Sequence, residues 1–147
     1  GYFVINTPGT KGIVGFAGGG THVIGDVRIK LATPFAVVLL TSLSRDKGLD
    51  EAGGMLVVAM ARVFNRGMAY NTEGTVLETM GDAPLMLEPV KAVITIGNRD
   101  IAGVHVLDHD GLLTDRKAPA TRHQFTIDGA EDQTMYYAVQ LKPGGRK

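Results

Sequence analysis

The 147-residue sequence contains no cysteine and no tryptophan. Without cysteine the chain forms neither a disulfide framework nor a thiolate metal site, and its redox compartment is left undetermined. Without tryptophan, any aromatic contact with a ligand falls to smaller rings. A long apolar run is also missing, since the longest covers residues 55–61, far below the roughly 20 residues that span a bilayer.

The sequence has no net charge, because its 15 Lys and Arg residues equal its 15 Asp and Glu residues. A neutral domain has no overall field that would draw it to nucleic acid or to an anionic membrane. The basic residues are scattered, and the nearest pair, Arg28 and Lys30, alternates with apolar residues as on a solvated strand face. These features argue against nucleic acid and membrane as partners.

The apolar residues recur mainly with period two, between clusters of Gly, Pro, Asn and Asp. Such alternation is typical of strands with one wet face, and it covers residues 23–31, 90–96 and 122–127. No segment carries a convincing helical stripe bounded by caps. The pattern predicts an all-β fold, an antiparallel β-sandwich of about 8–12 strands with jelly-roll or immunoglobulin-like topology and little or no helix. We expect one domain over residues 1–142 and a flexible tail over residues 143–147.

Two predicted strands are apolar on both faces, over residues 35–43 and 55–64. In a two-layer sandwich one face of each strand meets water, so a doubly apolar strand needs a second cover. Two explanations are open at this point. A neighbouring domain covers the outer face, or the connection over residues 65–89 folds across it.

Asp108 and Asp110 lie in the segment Asp-His-Asp-Gly, which offers two carboxylates and a glycine turn. Loops of this composition hold calcium in some sandwich domains, which makes calcium a candidate cofactor. The favoured alternative is a plain hairpin turn between two strands, because Asp is common in turns and the EF-hand pattern is missing.

Two stretches resemble a known family. Residues 2–10 read Tyr-Phe-Val-Ile-Asn-Thr-Pro-Gly-Thr, followed by Val14-Gly15-Phe16 and Gly25-Asp26-Val27. Residues 61–71 read Ala-Arg-Val-Phe-Asn-Arg-Gly-Met-Ala-Tyr-Asn, and residues 81–90 read Gly-Asp-Ala-Pro-Leu-Met-Leu-Glu-Pro-Val. With the late pair Tyr136-Tyr137, these stretches resemble the C-terminal β-sandwich accessory domain of bacterial glycoside hydrolases that have a barrel catalytic domain.

The resemblance implies a non-catalytic accessory domain of a secreted or periplasmic polysaccharide-degrading enzyme. Its partner would be the catalytic domain of the parent enzyme, and polysaccharide is a second candidate partner. Two positions at which the family often carries tryptophan hold Met80 and Tyr136 here. An autonomous carbohydrate-binding module is the alternative function, and a small stand-alone hydrolase is the least favoured.

No catalytic residues are predicted in the chain. A glycosidase needs two opposed carboxylates, about 5–9.5 Å apart, and most aspartates here fall at turn signals. Glu78 and Glu88 are the exceptions, and we interpret them as structural. Serine occurs only at Ser42 and Ser44, outside any Gly-x-Ser-x-Gly elbow.

Two tyrosines are the predicted carbohydrate-binding residues. In residues 134–141 the alternation directs Tyr137 to the core and Tyr136 outward, which leaves Tyr136 as an exposed ring. Tyr70 lies in the Asn-x-Gly-Met-x-Tyr-Asn segment. Flat aromatic rings bind the apolar face of a sugar, although packing between domains uses tyrosine as readily.

Overall fold

The computed structural model describes residues 1–143, so most of the predicted tail, residues 144–147, lies outside the described residues. The fold is all-β, as the alternation predicts, with one helix of four residues in the described part. In chain order the elements are β1 (Tyr2–Asn6), β2 (Thr10–Phe16), β3 (Gly20–Ile24), β4 (Val27–Leu31), β5 (Phe35–Ser42), β6 (Gly54–Met60), β7 (Val63–Arg66), β8 (Ala69–Tyr70), β9 (Leu77–Thr79), β10 (Asp82–Leu87), β11 (Lys91–Ile96), β12 (Ile101–Leu107), β13 (Leu113–Lys117), β14 (Gln124–Asp128), α1 (Gly129–Asp132) and β15 (Tyr136–Leu141).

Two antiparallel sheets make up the sandwich. The larger has seven strands in the order β1-β2-β5-β6-β15-β12-β13, and the smaller has four in the order β14-β11-β4-β3. Buried side chains of both sheets form one hydrophobic core. Ile13, Val38 and Val57 of the larger sheet and Ile29 and Ile94 of the smaller are all fully buried.

The prediction of a single strand over residues 23–31 is wrong. β3 and β4 are two strands of a hairpin, joined at Gly25 and Asp26. Gly25 has φ of 61°, the left-handed conformation that glycine adopts easily and that two-residue hairpin turns require. The strand pattern placed Val23 on the face of Val27 and Ile24 on the opposite face. Because the chain reverses at Gly25 and Asp26, Ile24 enters the core instead and Val23 is 64% exposed.

The strand predicted over residues 55–64 is also too long. β6 ends at Met60, and Val63 and Phe64 belong to β7, which pairs with β10 instead of with the sandwich. β7 to β10 form two small two-stranded sheets, which we call the arm (residues 63–87). At its base the guanidinium of Arg62 donates to both carboxylate oxygens of Glu88, at 2.7 and 3.1 Å.

Of the two explanations left open for the doubly apolar strands, the exposure of the arm argues against the one in which the connection over residues 65–89 folds across the outer face. None of the arm's strands pairs with a strand of either sheet. A segment folded down over an apolar face would bury its own apolar side chains, whereas those of the arm stay exposed. The exposed ones are Val63, Phe64, Tyr70, Val76, Leu77, Met80, Leu85 and Met86.

Helix α1 lies between β14 and β15 and fixes the start of β15. The Asp128 side chain caps it by accepting from the Ala130 amide, and Gln133 ends it in the left-handed conformation. No helix among the described residues has the length and apolar character needed to cross a bilayer.

Candidate functional site

The outer face of the seven-stranded sheet is apolar across its centre. We define the outer face as the side of this sheet that points away from the core. Strands β5 and β6 bury Val38 and Val57 inward, while Leu39 and Val58 point outward and stay half-buried. Its apolar members are Phe3, Ile5, Val14, Phe16, Phe35, Val37, Leu39, Leu56, Val58, Met60, Tyr136 and Ala138.

Strand register aligns these side chains in rows. One row runs Phe3, Val14, Val37 and Met60, and the next runs Ile5, Gly12, Leu39, Val58 and Tyr136. At Gly12 an added Cβ would lie 2.6 Å from the Leu39 side chain, so the glycine leaves room for that leucine to lie along the sheet. The outer face is therefore continuous from β1 to β15.

The outer surface of the four-stranded sheet has the opposite character. Its cross-strand rows are Thr21, Lys30, Val93 and Thr126, and Val23, Arg28, Thr95 and Gln124. Most of these side chains are polar, as expected where a sheet meets water. The comparison shows that the apolar outer face belongs to one layer of the sandwich and is not a general property of its surface.

A cleft of about 470 Å³ lies at one side of the outer face. Its apolar lining comes from neighbouring strands and from the ends of loops, and the turn between β12 and β13 adds polar groups. The lining residues are Leu43, Leu56, Leu107, His109, Asp110, Gly111, Leu113, Tyr136 and Ala138. We call this the Tyr136 cleft.

The neighbour of Tyr136 along the strand holds β15 in place. Tyr137 is 1% exposed, and its hydroxyl donates to Asp132 Oδ2 of α1 at 2.9 Å. Burial, followed by the hydrogen bond to the Asp132 carboxylate, raises the pKa of the Tyr137 hydroxyl above its ordinary value. With Tyr137 fixed in the core, alternation directs the half-buried ring of Tyr136 into the cleft.

The two predicted tyrosines do not share a cleft. Tyr70 lies on β8 of the arm, where it is 54% exposed and lines a separate hollow with Phe64 and Met68. Asp110, predicted for a different role, does line the Tyr136 cleft. Asp110 and His109 thus lie at the rim of an aromatic and aliphatic surface.

Asp108 has a defined role in the turn. Its Oδ1 accepts hydrogen bonds from the amides of Asp110 and Leu112, at 2.9 and 2.8 Å, as aspartate does in turns. Within residues 1–143 no group of three His, Cys, Asp or Glu side chains is arranged to hold a metal ion.

The two glutamates weighed as an acid and base lie in different environments. Glu88 is held by Arg62, and the hydrogen bond from that guanidinium lowers the pKa of the carboxyl below its ordinary value. Glu78 is exposed on β9 of the arm. The Glu88 carboxylate thus closes the base of the arm.

The chain matches no family model, no curated protein and no solved structure. Its fold and surface therefore define only a class, an antiparallel β-sandwich with one apolar outer face and a mixed apolar and polar cleft at its side.

Sequence reasoning did not find His109, Leu107 or Leu113 as neighbours of Tyr136. They lie on β12, β13 and the turn between them, and the cleft exists because β12 pairs with β15, about 30 to 40 positions later in the chain. Long-range pairing of this kind leaves no local signal. The one available signal was the turn composition of Asp108 to Gly111, which indicated a loop but not what it would face.

Proposed function

We propose that this chain is a non-catalytic accessory domain of a polysaccharide-degrading glycoside hydrolase, secreted by a bacterium. The outer face packs against the catalytic domain of the parent enzyme and keeps it in a fixed orientation. The observation that carries the proposal is the apolar character of that face, combined with the sequence resemblance.

The size of the outer face supports a protein partner. Five strands at about 4.8 Å spacing and about seven residues of strand length give a surface of roughly 500 Å². That is near the upper limit for apolar patches on proteins that work alone. Interfaces between domains of one chain start at about 600 Å², so this face, with the side chains at its rim, suits one neighbouring domain.

The full-length gene provides the direct test. We expect its reading frame to encode a catalytic barrel domain, and we expect that domain, expressed separately, to associate with this chain on size-exclusion chromatography. Val23 lies on the four-stranded sheet, away from the outer face, so a Val23→Lys variant should associate with the catalytic domain as well as the wild-type chain does. A gene without a catalytic domain, or two domains that elute independently, would contradict the proposal.

The Tyr136 cleft favours carbohydrate contact as a second role, and it is also the basis of the alternative that the chain is an autonomous carbohydrate-binding module. A pyranose ring has an apolar face that packs on an aromatic ring and hydroxyls that hydrogen-bond to carboxylate and imidazole groups. Tyr136, Asp110 and His109 supply these groups around one cleft.

Affinity electrophoresis in gels containing β-glucan, xylan or galactan measures this role. We expect one of the glycans to retard the chain and Tyr136→Ala to weaken retardation by about tenfold or more, since the stacking surface is lost. Tyr70→Ala removes an exposed ring of the same type outside the cleft and should leave retardation unchanged. Absence of retardation across the panel would remove the carbohydrate role, and retardation unaffected by Tyr136→Ala would place it elsewhere.

A further inference from the structure

The sandwich has four edge strands, and they differ in how well they are protected from pairing with another chain. Natural sheets protect their edges with charges, irregular pairing or covering segments. β13 carries Asp115, Arg116 and Lys117 and pairs irregularly with β12. The edge of β14 is covered by residues 119–121, through the hydrogen bond from the Thr126 amide to the Pro119 carbonyl and the bridge between Ala120 and Phe125.

The two remaining edges lie close together, since the ring centroids of Tyr2 on β1 and His22 on β3 are 4.9 Å apart. β3 lies beside the exposed cationic side chains of Arg28 and Lys30 on β4. Within residues 1–143, β1 has no comparable protection. Residues 1–10 include no charged side chain, β1 contains no proline, and its pairing with β2 is regular throughout.

β1 is also strongly apolar and exposed. Phe3 is 79% exposed, Val4 51% and Tyr2 48%. An exposed, regular, apolar edge strand is a template for strand addition, because its free amides and carbonyls have no internal partner. Such an edge in a folded domain points to a partner strand.

The hydrogen-bond pattern shows which residues face the open edge. The Phe16 amide donates to the Gly1 carbonyl at 3.0 Å, and the Thr7 amide donates to the Thr10 carbonyl at 2.9 Å. Bonded pairs alternate in an antiparallel ladder, so Phe3 and Ile5 also bond to β2. Tyr2, Val4 and Asn6 therefore direct their amides and carbonyls away from the sheet.

We propose that β1 pairs antiparallel with β1 of a second copy of this chain, around a two-fold axis at Val4. In this register Val4 lies opposite Val4 of the second copy, and Tyr2 lies opposite Asn6. Each bonded pair exchanges both of its backbone hydrogen bonds, about six in all. The two seven-stranded sheets join into one continuous sheet.

Self-complementarity favours a second copy over an unrelated strand. A two-fold axis brings the same patch of each copy together, so the patch must match itself. In the proposed register Phe3 lies opposite Ile5 of the second copy on the outer face, which gives an apolar cross-strand pair on each side of the axis. No charged side chain of β1 is opposed by another, because β1 has none.

Sedimentation equilibrium of the full chain over a range of concentrations tests the pairing. We expect a reversible dimer. Val4→Pro removes the central amide donor from each copy. We expect the dissociation constant of the dimer to rise about 30-fold, which corresponds to about 2 kcal/mol. Proline is tolerated on an edge strand where the amide faces outward, and Val4→Lys provides a second variant without a change to the backbone. Leu112→Lys, at a 64% exposed apolar side chain just before β13 on the opposite edge of the same sheet, is the matched control and should dimerise as wild type does.

The absence of cysteine allows the register to be measured directly. In single-cysteine variants under mild oxidation, we expect Val4→Cys to form a disulfide-linked dimer, because bonded pairs hold their Cα atoms about 5.5 Å apart. Phe3→Cys alone should cross-link poorly, and a mixture of Phe3→Cys with Ile5→Cys should form the mixed dimer.

Three results would overturn the proposal. The first is a wild-type chain that stays monomeric up to about 1 mM. The second is a dimer that withstands both Val4 substitutions. If Val58→Lys dissociates that dimer, the contact lies on the outer face. The third is binding of an extended peptide along β1 in a chain that never dimerises.

Discussion

Replacing Arg99 by methionine is expected to lower the free energy of unfolding by about 3 kcal/mol, and the melting temperature by about 6–12 °C. Arg99 lies between β11 and β12 and is only 6% exposed. Its guanidinium donates to the carbonyls of Asp50 at 2.6 Å, Ala52 at 2.8 Å and Lys142 at 3.1 Å. One side chain thus connects the β5–β6 connection, the β11–β12 turn and the segment after β15.

Methionine is the informative substitution because it keeps an unbranched apolar stem and removes every donor. Each buried carbonyl that is left without its charged donor lowers the free energy of unfolding by about 1–3 kcal/mol, and by less where water reaches it. Arg99→Lys keeps the charge but not the planar group that reaches several carbonyls together, so we expect a smaller loss. Chemical denaturation of the three proteins, with unfolding followed by circular dichroism, measures these differences.

A desolvation cost opposes these bonds. No carboxylate within residues 1–143 forms an ion pair with Arg99, and its Nε has no hydrogen-bond partner there. Apolar replacements of buried charges are sometimes neutral or stabilising. An Arg99→Met protein as stable as wild type would therefore mean that the cost of burying the charge cancels the carbonyl bonds, and the connecting role would be refuted.

Strand alternation correctly predicted which residues are buried wherever that depends only on the alternation of side chains along one strand. In β11 and β14 the predicted inward residues, Ile94, Phe125 and Ile127 among them, are the buried ones. The doubly apolar pattern likewise indicated which strands would have an apolar outer side. In each case the side-chain period of two is enough, because neighbouring residues of a strand face opposite sides.

The pattern was insufficient where the chain reverses without changing its composition. Gly25 and Asp26 make a tight turn inside an apolar and polar alternation that reads through it, so a hairpin was predicted as one strand. At Met60 the chain leaves the sandwich while apolar residues continue into β7. Apolar periodicity indicates that a segment is a strand, and it does not specify which sheet that strand joins. Arg99 gave no signal at all, since its partners are backbone carbonyls of distant segments.

Val57 and Val58 provide the sharpest test of the outer face, because they are adjacent on β6 and point to opposite sides. Val57 is 0% exposed and lies beside Leu40 and Tyr137 in the core. Val58 lies beside Leu39 and Tyr136 on the outer face. We expect Val57→Lys to leave the chain largely unfolded at 25 °C, since an unpaired buried ammonium costs several kcal/mol of a total stability of about 5–15 kcal/mol.

Val58→Lys is expected to fold with a free energy of unfolding within about 1 kcal/mol of wild type, because a long lysine stem can lie along the half-exposed face with its ammonium in water. The charge should also reduce the fluorescence of a dye that binds apolar surface. Thermal unfolding followed by circular dichroism compares the two variants directly, with the same residue change on the two sides of one strand. If Val58→Lys unfolds as Val57→Lys does, the outer face is interior to the fold of the isolated chain. A packing surface for a catalytic domain could then not lie there, because a side chain already enclosed by its own chain has no area left to bury against a partner.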